Sequence, residues 1–150
     1  MNVLNWSNFF SVFQRLRQSN AGSIKDNYAV VYQIKRTESN RSCRYKSIDL
    51  LHKQGLTVDP KRYYRVYTRK LTPIQIKNSD VPVLNDLYYI FNCDIPKDFR
   101  GTSMSISDIV VLYKDGKVAS YYVDDIGFTK LADYDIFETD TDGNQNSQRE

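Results

Sequence analysis

Ile109 to Asp124 reads IVVLYKDGKVASYYVD. Two runs rich in β-branched and aromatic residues flank a short polar step. Asp115-Gly116 in that step supplies two residues able to take positive φ, which a tight hairpin turn requires. The stretch is expected to form two antiparallel strands, 109–113 and 117–124. An isolated hairpin is marginal in water, so more strands and a covering layer must come from elsewhere in the chain.

Working outward, YAVVYQIK (28–35) and RYYRVYTRK (62–70) have the same strand composition. Between them RTESNRSCR reads as a polar loop. SIDLLHKQ (47–54) reads as a short helix with Ser47 as N-cap, Gly55 at its C-terminal end, and Ile48, Leu51 and Leu50 turned inward. LTPIQIKNSDVP reads as a connector. VLNDLYYIF (83–91) is a second helix with Leu84, Leu87, Tyr88 and Phe91 on one side. At the N-terminus NVLNWSNFFSVFQRLRQ (2–18) has the three/four spacing of an amphipathic helix, with Trp6, Phe9, Phe10, Phe13 and Leu16 on its apolar side. SNAGS breaks it. ETDTDGNQNSQRE at the other end is polar and almost free of apolar residues, the composition of disorder. No internal repeat is present. The expected organisation is an N-terminal amphipathic helix (1–20), a domain over 28–132 and an acidic tail over 133–150. The expected fold is α+β: a small, mostly antiparallel sheet with two or three short helices on one face.

Composition narrows the function. A chain of 150 residues can bury a core without metal or disulfide support. Its 12 Tyr and 7 Phe supply large buried areas and also good interface anchors. Cys43 and Cys93 stand far apart, no secretory leader precedes them and no apolar run is long enough to cross a membrane. A cytoplasmic protein with reduced thiols is expected. The net charge of +3 conceals an asymmetry. Residues 35–70 carry eleven Lys and Arg against three Asp and Glu, and residues 121–150 carry two against eight. Either the basic stretch serves an anionic partner for which the acidic tail competes, or both are solvated surfaces that neutralise each other.

Several segments are distinctive as wording. They are YQIKR, LLHKQGLTVDP, YYRVY, LNDLYYIFNCDIPKDFRG and SMSISDIVVLYKDGKVASYYVDDIGFTKL. Over about residues 29–131 the chain resembles the YodL-like domain family, small domains of low-GC Gram-positive bacteria often carried on mobile genetic elements. The last two segments carry most of the specificity. The resemblance implies no enzymatic activity and no agreed ligand. It implies an accessory protein of a phage or conjugative element acting on a host or defence target.

Ser103, Ser105 and Ser107 alternate and would share one face of an extended strand, but a nucleophilic serine needs a base, and His52 is the one histidine. Ser107 and Asp108 are better read as satisfying backbone donors at the strand entry, with Met104 and Ile106 inward. Asp124 and Asp125 are adjacent, so on a strand they face opposite ways and do not chelate together. Asp124 is expected to anchor a bend that Gly127 completes, with Phe128 returning to the core. Cys43, His52 and Cys93 have no dyad or metal spacing, and Cys93 reads as a small core residue. No catalytic residue, metal or cofactor is therefore expected.

Binding is the stronger signal. On a regular strand Tyr63, Arg65, Tyr67 and Arg69 would share one face, an arrangement suited to partner hot spots or to stacking and phosphate contact. Lys35, Arg36, Arg41 and Arg44 add charge on the neighbouring loop. Trp6, Phe9, Phe10 and Phe13 form a candidate docking helix. The expected function is a non-catalytic module that docks to a host or defence protein and modulates it. The alternatives are a nucleic-acid-binding or nucleic-acid-competing inhibitor, and, more remotely, a hydrolase or nuclease.

Overall fold

The computed structural model describes residues 27–132. The expected helix at 2–18 and the acidic tail at 133–150 lie outside them. Five strands form one sheet: β1 (Tyr28–Ile34), β2 (Tyr63–Lys70), β3 (Ile109–Lys114), β4 (Lys117–Val123) and β5 (Phe128–Lys130), in the order β2-β1-β3-β4-β5. Every neighbouring pair is antiparallel. The hairpin expected over 109–124 is β3–β4, and Asp115 (φ 49°) and Gly116 (φ 80°) take the positive φ its turn needs. The chain is thus α+β with an antiparallel sheet.

Among the described residues three α-helices accompany it: α1 (Ile48–Lys53), α2 (Pro73–Lys77) and α3 (Asp80–Cys93). Ser47 caps α1 by accepting from the Leu50 N–H over 3.2 Å, and Gly55 (φ 72°) follows its end in the left-handed region. α2 falls in the segment expected as a connector. Its signal was a capping box, in which Thr72 accepts from Gln75 N–H and the Gln75 side chain accepts from Thr72 N–H. The polar loop likewise contains a 3-10 helix, Glu38–Cys43.

Strand alternation sends side chains to two faces, and both faces are covered. Ala29, Val31, Val110 and Leu112 pack with Val83, Leu84, Leu87 and Phe91 of α3 and with Phe99 and Met104. Val30, Tyr32, Ile34, Ile109, Val111 and Tyr122 form the other layer, with Cys43, Leu51 and Tyr63. The helices are therefore divided between two faces instead of gathered on one. β1 and β3 carry runs buried on both sides, and an apolar run without alternation is the signature of such strands. Phe91 also packs against Phe99 (5.0 Å between ring centres) and Tyr67 (5.5 Å). Truncating Phe91 to Ala is expected to cost about 3–5 kcal/mol.

Four side chains sit differently from their expected places. Cys93 is exposed because two helical steps past Phe91 turn it away from the sheet. Tyr88 and Leu50 are exposed, although Tyr88 still meets Phe128 edge-on. Ile106 is half-buried, since the chain turns at Ser107 before it can enter β3.

Candidate functional site

The polar residues of the C-terminal half build a knot at the entry to β3. Gln33, buried in β1, uses its whole amide. Its Nε2 donates to Thr102 O (2.8 Å) and Asp108 Oδ2 (3.0 Å), and its Oε1 accepts from Thr102 N–H (3.0 Å). Asp108 also accepts from the Ser105 N–H (3.0 Å). Burial pushes the Asp108 carboxyl up to about 7, against the lowering effect of the Ser105 and Gln33 donors. Gly101 is required beside this amide: a Cβ there would lie 2.7 Å from both Gln33 Oε1 and the Phe99 ring.

Ser107 is the second centre of the knot. It takes a left-handed conformation (φ 85°), which separates it from Ser103 and Ser105 and removes the shared hydroxyl face expected of a strand. Its N–H donates to Val123 O (2.9 Å), its carbonyl accepts from Tyr63 Oη (2.7 Å) and its Oγ accepts from Tyr45 N–H (3.1 Å). Asp124 does for the other hairpin end what Ser107 does here. Its Oδ1 accepts from Ile48 N–H (3.2 Å) and Asp125 N–H (3.0 Å), its Oδ2 accepts from Thr129 Oγ1 (2.6 Å), and its N–H donates to Gly127 O (3.0 Å). Burial raises the Asp124 pKa, but these donors outweigh it, and the carboxyl stays below its ordinary range. Gly127 (φ 69°) completes the bend, and Phe128 is half-buried against the α3-side core.

The knot holds up the basic loop. Tyr122 Oη donates to Lys46 O, and Tyr45 hangs on Ser107, so Tyr45 and Lys46 are fixed from the sheet below. Tyr45 is 58% exposed and held at φ 61°, a conformation costly for an aromatic residue. Arg36 Nη2 reaches its hydroxyl at 3.5 Å. The same loop carries exposed Arg41, paired with Glu38 (3.2 Å), and half-buried Lys35 and Arg44. The sequence singled out those four cations and missed Tyr45. No local pattern announces it, because the hydrogen bond that holds its backbone comes from a serine 62 positions away.

The Tyr/Arg strand face does not exist as one face. Between Val31 and Tyr32 the β1–β2 register shifts, so that Tyr67 pairs with Val31 while Arg65 pairs with Tyr32. The extra residue, Val66, is a β-bulge that flips the side-chain alternation. Tyr63 and Arg65 accordingly lie on the α1 side, Tyr63 buried there. Tyr67 and Arg69 lie on the α3 side, where Tyr67 packs on Phe91 and Phe99 and donates to Asp98 Oδ1 (2.8 Å).

Among the described residues no three His, Cys, Asp or Glu side chains gather into a metal-sized group. Buried Cys43 accepts from Arg62 Nη1, and His52 is exposed on α1. No helix among the described residues is long and apolar enough to cross a membrane.

The YodL-like domain model matches residues 9–134, most of the chain. The chain belongs to the YodL-like domain family. The residues of the knot, from Gln33 through Gly101, Ser107 and Asp108 to Asp124 and Gly127, all lie within the match, as do Tyr45 and the basic loop. The match also takes in residues 9–27, ahead of the first strand. No curated protein and no solved structure matches the chain.

Proposed function

We propose that this YodL-like protein is a non-catalytic accessory protein of a mobile genetic element that docks to a host or defence protein and modulates it. The docking surface is Tyr45 with Arg36, Arg41, Arg44 and Lys46, and the partner surface is acidic. One observation carries the reading: part-buried hydrogen bonds from the knot hold an exposed, strained tyrosine on the basic loop, with Arg36 at its hydroxyl. Backbone strain persists where surrounding structure enforces it, and interface anchors are commonly Tyr and Arg. Other exposed apolar residues lack this setting. Val81 and Tyr89 point outward from α3, a helix without a Lys or Arg. The mobile-element setting follows from the resemblance of the signature segments to the family.

The same surface supports a second reading, binding of nucleic acid. An exposed tyrosine beside arginines can stack a base while the cations meet phosphates. Binding of a labelled single-stranded oligonucleotide, titrated against salt, separates the two. A steep loss of affinity with salt that Tyr45→Ala weakens supports nucleic acid. Absence of oligonucleotide binding, with capture of a host protein that Tyr45→Ala and Arg36→Glu abolish, supports docking to protein.

A further inference from the structure

The sheet ends in β2 on one side and in β5 on the other. β5 offers an edge of 3 residues, whereas β2 offers 8. The main-chain groups of an antiparallel strand point alternately to its two sides, so the bonds made to β1 fix which groups of β2 point away. Leu71 N–H donates to Asn27 O (2.9 Å), which turns Arg69 and Tyr67 toward β1 and leaves Lys70 and Thr68 facing outward. At the other end Lys35 N–H donates to Arg62 O (2.7 Å), which turns Tyr64 inward and Arg65 outward. The bulge at Val66 takes up the change of phase between the two halves. Among the described residues no hydrogen bond reaches the outward main-chain groups of Arg65, Thr68 and Lys70, and Thr68 and Lys70 are exposed.

The composition of this edge is as one-sided as its geometry. Residues 61–70 hold Lys61, Arg62, Arg65, Arg69 and Lys70 and no acid. Arg65, Arg69 and Lys70 make no ion pair among the described residues. Charges and bulges commonly protect an edge against indiscriminate pairing. Here they disfavour a second copy, whose β2 would bring the same cations opposite these. They leave the edge open to an acidic strand.

We infer that the β2 edge is a second interaction surface, apart from the Tyr45 loop, and that it takes an acidic extended segment of a partner protein as an added strand. An antiparallel segment exchanges both main-chain bonds with Thr68 and with Lys70, and its carboxylates lie opposite Arg69 and Lys70. A row of outward peptide groups at strand spacing calls for another peptide backbone, which a nucleic acid lacks.

The probe is a short capped peptide of alternating Glu and Val, added to the full chain and read by amide exchange. Exchange at Thr68 and Lys70 should slow about tenfold once the peptide stands at about ten times its Kd. The Arg69 amide, which already faces β1, should change little. The matching Lys/Val peptide should leave Thr68 and Lys70 unchanged. With Arg69→Glu/Lys70→Glu the two peptides should exchange roles. Thr68 and Lys70 amides that the Glu/Val peptide does not slow in the wild type would overturn the inference. So would an equal response to the Lys/Val peptide, or slowing confined to the Tyr45 loop. Slow exchange without peptide that is lost on dilution would also overturn it, by assigning the edge to a second copy. None of these outcomes bears on Tyr45→Ala, so the two surfaces stand or fall separately.

Discussion

Gln33 Nε2 donates to Asp108 Oδ2 over 3.0 Å, joining an interior strand to a carboxylate 75 positions later in the chain. The bond explains why a glutamine sits in a strand that is otherwise apolar. A buried amide must be fully paired, and Thr102 and Asp108 pair this one. It also places Asp108 where β3 begins, so the knot and the hairpin form together.

Asp108 gives the protein a pH dependence at neutral pH. Its folded-state pKa, about 7, lies above the ordinary value near 3.9 of an unfolded chain. The fold therefore favours the protonated form. That contribution is complete below about pH 4 and is lost as pH rises toward 7. The urea midpoint of the wild type should fall between about pH 5 and pH 8, and that of Asp108→Asn should stay level over the same range. A wild-type midpoint that is flat or rises would contradict the burial assigned to this carboxyl. At the acid end the sign reverses. Asp80 is raised by burial but lowered more by Lys114 (2.7 Å) and Tyr121, so its stabilisation is lost as pH falls through its depressed pKa.

Gly101→Ala should destabilise by about 1–3 kcal/mol, the usual cost of forcing atoms into a packed interior. The added methyl meets Gln33 Oε1 and the Phe99 ring at once. Urea denaturation measures it. A loss below about 0.5 kcal/mol would mean that the two neighbours can move apart.

Asp124→Ala removes an acceptor shared by Ile48, Asp125 and Thr129. The expected loss is about 1–3 kcal/mol, from donors left unpaired at the start of α1 and the bend before β5. Magnesium should not change the melting temperature of either protein. A magnesium-dependent rise in the wild type that Asp124→Ala abolishes would instead support a metal-using nuclease.

The reach of sequence reading differs between elements for physical reasons. The β3–β4 hairpin was legible because its turn chemistry is local, and α1 was legible because Ser47 and Gly55 mark both its ends. β1, β2 and the core of α3 followed from composition and periodicity. α2 was passed over because its five residues are too few for a periodic signal, although Thr72 and Gln75 spell its cap. The division of the helices between two faces was hidden in β1 and β3, where burial on both sides erases the alternation that names a face. The Tyr/Arg face failed at Val66, since a bulge depends on the partner strand. Tyr45 was missed for the same reason: Ser107 holds its backbone N–H from 62 positions away.

If Tyr45 is an interface anchor and not a fold residue, Tyr45→Ala should leave stability nearly unchanged. Its side chain is largely exposed, and alanine keeps the Cβ on which the cost of φ 61° depends. Tyr45→Gly should be the more stable of the two, because glycine takes positive φ freely. A loss above about 2 kcal/mol in either would show that the ring holds the loop together.

The most direct test compares tagged wild type and Tyr45→Ala in capture from host lysate, each with and without nuclease, read by mass spectrometry. The docking account predicts one dominant protein in the wild-type capture that survives nuclease. Its recovery should fall at least tenfold with Tyr45→Ala, the loss typical of an interface hot spot. Equal recovery with both proteins, or partners that vanish with nuclease, would contradict it.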